Sequence, residues 1–276
     1  MPVGDRTPSE AGGAWPPEVF RESASPAFPL LEVRGVSKRF GSLRALDKVS
    51  FGIRRGEVLG LIGPNGAGKT TLFECLAGVL PADAGGALWK GRPISPEARK
   101  DVLFFLPDQI APWADQPAGR VLSLFARLFD ADPSRLSRLV NSFGLSRFLS
   151  EDVGSLSKGE RKRVLLALAL VVARPVLLFD EPFDGLDLRQ AREAETVLRA
   201  AASEGRTLFL SIHQLADAGR VCDRLVLLSA GRVAGEGTLD ELRARAGLSE
   251  GGLEEVFLAL TETGSPDPEF DRRTAE

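Results

Sequence analysis

The chain has 276 residues, 43% of them hydrophobic and 26% charged, with two cysteines and one histidine. At this length roughly three quarters of the unfolded surface can be buried, so no staples are needed; two thiols and one imidazole exclude a disulfide framework, a four-thiolate zinc site and a His-rich metal centre. Lys and Arg number 35 against 38 Asp and Glu, and the resulting net charge of −3 argues against a broad nucleic-acid-binding surface.

Residues 1–29 are rich in Pro, Gly, Ser and Ala without helical or strand period, and predict a disordered tail. Acids and prolines stand where a signal peptide would carry a basic start and an apolar run. Trp15, Phe20 and Phe28 are the side chains that would anchor this tail if it docked. From Leu30 the segments LLEVRGVSKRF and ALDKVSFGI alternate like strands. Val58–Ile62 is a short apolar strand running into glycines, and a helix is predicted over Lys69–Ala77. Between Ala118 and Leu149 the apolar residues recur at three and four, the helical spacing. A helix over Arg161–Ala173, a buried strand at Val176–Phe179, a helix over Arg189–Ala202 and a strand at Thr207–Ile212 make an alternating βα pattern, which implies parallel pairing. Arg224–Leu228 and Arg232–Gly235 read as a hairpin, and Thr238–Ala246 and Leu253–Leu260 as short helices before a flexible end, 261–276. The longest apolar stretch, Val164 to Ala173, has ten residues, half of the ~20 that span a bilayer.

Two motifs carry chemistry. Gly63-Pro64-Asn65-Gly66-Ala67-Gly68-Lys69-Thr70, followed by Thr71, satisfies G-x-x-x-x-G-K-[ST] between a strand and a helix. Glycines let backbone N–H groups turn in around phosphates, and the helix N-terminus adds partial positive charge. Lys69 then reaches the β and γ phosphates of a nucleotide, while the Thr70 hydroxyl ligates Mg²⁺. The strand Val176–Phe179 runs into Asp180 and Glu181. Unpaired carboxylates after an apolar run are costly to bury, so a metal or a cap must explain them. Asp180 holds Mg²⁺ through a water in this reading, and Glu181 polarises the attacking water; the plainer alternative makes Asp180 the cap of a turn before Pro182. His213 closes the strand Thr207–Ile212, which delivers it to the same sheet edge as the phosphate loop and Asp180, as a γ-phosphate contact. Cys75 and Cys222 are expected on apolar helix faces as inert core thiols.

These elements, in this order, resemble the ATP-binding subunit of an ABC transporter. Leu156-Ser157-Lys158-Gly159-Glu160 looks like the family signature LSGGQ, with Lys158 and Glu160 in place of Gly and Gln. The resemblance covers about Leu31 to Leu260. It implies an α/β fold of the P-loop NTPase, ABC ATPase type: a mostly parallel core sheet, an N-terminal antiparallel β part, and a helical subdomain at about 110–155 within one domain, 30–260. It implies ATP as substrate with Mg²⁺, and a head-to-tail homodimer or heterodimer with two ATPs at the interface. There the partner subunit's signature, here Ser157, Gly159 and Glu160, closes over the nucleotide. Asp187 matches the D-loop and Phe40 the adenine-stacking aromatic. In the Q-loop, Asp108 stands where the family has Gln and Gln109 comes one place late, so the metal contact is divided between them. The resemblance also implies a separate integral membrane permease, which chooses the cargo and holds this chain on the cytoplasmic face. The segment from Asp108 to about Leu149 is expected to face that permease, with Ile110, Pro112 and Trp113 as its apolar group; the alternative packs Trp113 inside the subdomain. The end of the chain from Leu253 to Thr261 looks like the tail of ABC-2 type exporter ATPases. The function expected is thus an exporter's ATPase; the alternatives are an importer's ATPase and a soluble ABC switch on ribosomes or nucleic acid.

Overall fold

The computed structural model describes residues 29–108 and 110–262. The expectations for the N-terminal tail with Trp15, Phe20 and Phe28, for Gln109, and for the C-terminal end beyond 262 lie outside the described residues. Among the described residues no helix is long and apolar enough to cross a membrane.

Two sheets form. Strands β1 (Leu31–Phe40), β2 (Leu43–Ile53), β4 (Ala84–Trp89) and β5 (Arg92–Ile94) make an antiparallel sheet in the order β2-β1-β4-β5. Strands β3 (Val58–Ile62), β6 (Leu103–Leu106), β7 (Val176–Asp180), β8 (Thr207–Ile212), β9 (Arg224–Ser229) and β10 (Arg232–Gly237) make the second, ordered β10-β9-β3-β8-β7-β6. Its pairings are parallel except β10 against β9. Every residue of β3, β7 and β8 is buried, the pattern of strands covered on both faces.

That sheet divides two cores, and the two-residue period of its strands decides which side chain enters which. Val58, Ile62, Leu177, Phe179, Leu208 and Leu210 join the core under the helices. Their neighbours Leu59, Leu61, Leu178 and Phe209 enter the core shared with the antiparallel sheet. Helix α1 (Lys69–Ala77) lies on this second side. Phe209 of β8 meets Phe51 of β2 at 5.3 Å and Phe73 of α1 at 4.8 Å between ring centroids, so one aromatic cluster joins strand, sheet and helix.

The helical part begins with α2 (Ala118–Leu128) and α3 (Pro133–Ser142), capped by Asp132, whose side chain accepts from the Ser134 amide. Next comes α4 (Lys158–Val171), which starts three residues before the expected Arg161 and stops at Val171. The earlier start has a local cause. Ser157 and Glu160 form a reciprocal capping box, which satisfies two of the first-turn donors. Helices α5 (Leu188–Ser203), α6 (Leu215–Val221), α7 (Leu239–Arg245) and α8 (Leu253–Glu262) follow among the described residues. Strands β4, β5 and β6 and helix α6 were not expected. Cys75 is buried in α1, but Cys222 is the C-cap of α6 rather than part of a helix face.

Candidate functional site

Parallel strands β3, β7 and β8 deliver their carboxyl ends to one edge of the sheet, where ligands bind in open α/β folds. β3 leads into the loop Gly63–Gly68 and then α1. Gly68 has φ +102°, and a Cβ there would lie 2.5 Å from the Ala45 carbonyl oxygen, so only glycine fits. No side chain caps α1 and no acid occupies its first turn, which leaves its N-terminal donors and dipole available to an anion. Lys69, 7% exposed, folds over the loop and donates to the carbonyls of Gly63 (2.8 Å) and Pro64 (3.2 Å). Burial lowers its pKa, opposed by the charges of Glu181 and Asp180. Pro64, Asn65 and Gly66 are exposed at the crest, Ala67 is buried beneath, and Thr71 is half-buried.

Asp180 ends β7 with 4% exposure. One of its oxygens accepts from the Thr70 hydroxyl at 2.8 Å and the other from the buried Ser211 hydroxyl of β8. The carboxylate is therefore engaged across the sheet and does not cap the turn before Pro182. Thr70 and Asp180 together offer the hard oxygens that Mg²⁺ prefers. Glu181 follows in the left-handed region, φ +48°, which costs an L-residue about 1–2 kcal/mol. Its backbone is held at both ends by side chains: its N–H donates to Ser211 Oγ (2.9 Å), and its carbonyl accepts from Lys162 Nζ (2.9 Å). His213, exposed just past β8, brings Nδ1 to 3.5 Å from the Glu181 carboxylate. Lys69, Thr70, Asp180, Glu181 and His213 thus converge on one edge.

The Ser157 cap places a hydroxyl at the N-terminus of α4, where it donates to Glu160 Oε2 (2.7 Å) and accepts from the Glu160 amide (3.3 Å). The Ser157 hydroxyl and the Ser157 N–H (3.1 Å), both donating to the carboxylate, hold Glu160 below its ordinary range, helped by Arg147 at 3.8 Å. Gly159 is buried: a Cβ there would lie 2.7 Å from Gln190 Oε1 and 3.0 Å from the Gly185 carbonyl. The start of α4 therefore packs against the segment leading to Asp187. Asp187 caps α5 in a second capping box with Gln190.

Asp108, just past β6, pairs with Lys162 of α4 at 2.6 Å. Carboxylate oxygens of Asp108, Glu181 and Asp184 lie within 4.8 Å of one another. Lys162 and Lys158, the latter at 2.7 Å from Asp184, balance two of the three charges. Phe40 ends β1 48% exposed, with the Lys38 ammonium 5.6 Å from its ring centroid. Trp113 is likewise 48% exposed, and its ring meets Phe125 of α2 edge-on at 5.6 Å. Leu124 and Leu128, one turn apart on α2, are exposed as well. Ser211 and Lys162 escaped the sequence reading. The only signal for either was a polar residue inside a buried strand or helix.

Comparison with known proteins adds to this geometry. The family pattern described as ABC transporter matches residues 46–184. The daunorubicin resistance ATP-binding protein DrrA3 of Streptomyces coeruleorubidus is 36% identical over 256 residues, covering 88% of this chain and 81% of that protein. The cobalamin import ATP-binding protein BtuD of Halobacterium salinarum is 36% identical over 230 residues, covering 78% of this chain and 58% of that protein. A solved structure described as the ATP binding subunit of an ABC transporter superposes with a TM-score of 0.77 at 32% identity, covering 84% of this chain and 99% of that one.

Proposed function

The chain belongs to the ABC transporter family of ATP-binding proteins, and from that premise we propose that it binds and hydrolyses ATP as one half of a dimer that drives a separate membrane permease. The observation that carries the proposal is the convergence of Lys69, Thr70, Asp180, Glu181 and His213 on the carboxyl edge of one parallel sheet. The loop from Gly63 to Gly68 and the first turn of α1, with Thr70 and Thr71, receive the phosphates through backbone N–H groups. Lys69 moves from the loop carbonyls to the β and γ phosphates. Thr70 and Asp180 hold Mg²⁺, which supplies charge neutralisation along the phosphate chain. Glu181 polarises the attacking water, and His213, beside it, contacts the γ-phosphate. Phe40 offers an open ring face to adenine. From the partner subunit, Ser157, Gly159 and Glu160 close the site, with Asp187 crossing between the two. The partner is a second copy or a homologous subunit.

We assign the permease-facing surface to the segment from Asp108 to about Leu149, which exposes the large apolar side chains Trp113, Leu124 and Leu128. Contact with the permease would hold the chain at the cytoplasmic face of the membrane. Export is the direction proposed, supported by the likeness to a daunorubicin resistance protein over most of the chain. Import is the second reading, favoured by the 36% identity to a cobalamin import protein.

Hydrolysis tests the core of this proposal. Glu181→Gln keeps the shape of the side chain while removing the carboxylate, so it should cut turnover by at least the ~10²-fold expected of a general base and trap ATP in a dimer. Lys69→Ala should instead lose nucleotide affinity. Wild-type turnover in Glu181→Gln would remove Glu181 from its role.

A further inference from the structure

The place of Glu181 depends on a conformation that its own residue type disfavours. Along a strand successive side chains point to opposite faces, and Glu181 leaves that pattern immediately after Asp180 through φ +48°. Such a backbone persists only where its surroundings over-determine it. Here two side chains do so. Ser211 Oγ accepts from the Glu181 N–H, and Lys162 Nζ donates to the Glu181 carbonyl, each at 2.9 Å. Lys162 is 5% exposed, on a helix otherwise packed into the core, and its charge is balanced by Asp108 at 2.6 Å. An ammonium of that burial with one charged and one backbone acceptor is fixed in direction as well as neutralised.

We infer that Lys162 is a positioning residue for hydrolysis: its hydrogen bond to the Glu181 carbonyl sets where the Glu181 carboxylate stands, and its ion pair makes that setting depend on the position of Asp108. The inference rests on the reading of Glu181 as the water-polarising carboxylate. Lys162 makes none of its hydrogen bonds to the phosphate loop, so its effect falls on turnover and leaves nucleotide binding alone. Asp108 opens the segment that leads to the exposed Trp113. A shift of that segment would therefore reach the Glu181 backbone through one side chain, without passing through the sheet.

The test uses the full chain, with kcat counted per ATP-binding site and KM for ATP measured alongside. The wild type and Glu181→Gln come first: a wild type that hydrolyses no ATP, or a Glu181→Gln variant as fast as wild type, sinks the functional reading and this inference with it. Given an active wild type and an inactive Glu181→Gln, Lys162→Met should lower kcat at least ~10-fold with KM within about twofold, since small misplacements of a catalytic group cost up to ~10²-fold. The Glu181 carbonyl also accepts from the Asp184 N–H at 3.2 Å, so Lys162 is its side-chain donor and not its only one. Lys162→Gln drops the charge but keeps an amide N–H to donate to that carbonyl, and should retain kcat within about threefold of wild type. A Lys162→Gln variant as slow as Lys162→Met would show that the ion pair alone matters, and would overturn the inference. Wild-type kcat in Lys162→Met would overturn it too. If Lys162→Met does not fold, Lys162→Gln decides alone, with kcat within about threefold of wild type in support and a loss of ~10-fold or more against.

Discussion

Ser157 has two proposed duties that a pair of substitutions separates. It caps α4 through its hydroxyl, and in the proposed dimer the same hydroxyl donates to the nucleotide of the partner subunit. Replacing a capping Ser by Ala costs about 1 kcal/mol, whereas Gly costs only a few tenths, because Gly adopts the cap backbone freely and leaves the end open to water. For a chain of this size about 1 kcal/mol is a shift of roughly 2–4 °C in Tm. Ser157→Ala should therefore melt a few degrees lower in the absence of ATP, and Ser157→Gly within about 1 °C of wild type. Hydrolysis should follow a different order. A hydrogen bond to a charged group contributes about 1.5–3 kcal/mol, so both variants should lose roughly 10- to 100-fold in ATPase activity, equally. Mixing Ser157→Gly chains with Lys69→Ala chains leaves one composite site intact in each mixed dimer. Such mixtures should regain activity that neither variant has alone. If activity instead follows Tm, with Ser157→Gly close to wild type and Ser157→Ala impaired, Ser157 is a helix cap and nothing more.

Trp113→Glu should detach the permease in a pull-down while basal ATPase stays within a few-fold of wild type. Because the ring is about half exposed, the change should cost the isolated chain no more than about 3 kcal/mol; a destabilised chain that still holds its permease would move the docking surface elsewhere. Direction is tested with inside-out vesicles carrying the chain with its proposed permease: an exporter loads cargo on addition of ATP, and vesicles that only release cargo would favour the importer.

What the sequence disclosed follows from the range of the interactions involved. β3, α1 and β8 were legible because their signals are local: an apolar run, a glycine loop, a strand between turns. β4 was hidden by its Ala84-Gly85-Gly86 start, which carries no alternation, and β6 by having only four residues. The start of α4 was misplaced because Lys158, Gly159 and Glu160 read as signature and not as a first turn, although Ser157 followed by Glu160 three residues on is a cap in its own right. Ser211 and Lys162 meet Glu181 across 30 and 19 residues of chain. No period or spacing announces such contacts, and they exist only once β7, β8 and α4 are packed together.

The two thiols have a practical consequence. Cys75 is buried, and burial pushes its pKa up to about 11. Cys222 is pushed up as well, by burial first and by the neighbouring Asp223 charge second. At neutral pH a thiol like Cys75 is ionised to only about one part in 10⁴, and it is the thiolate that attacks a maleimide or an oxidant. Cys75, buried, should therefore react slowly with such reagents, and Cys222, half-buried, is the thiol to check before any label is added. With Cys222 unreactive, a single cysteine introduced on the surface would carry the spectroscopic label, so distances between the two halves of the proposed dimer could be followed in an otherwise unaltered protein.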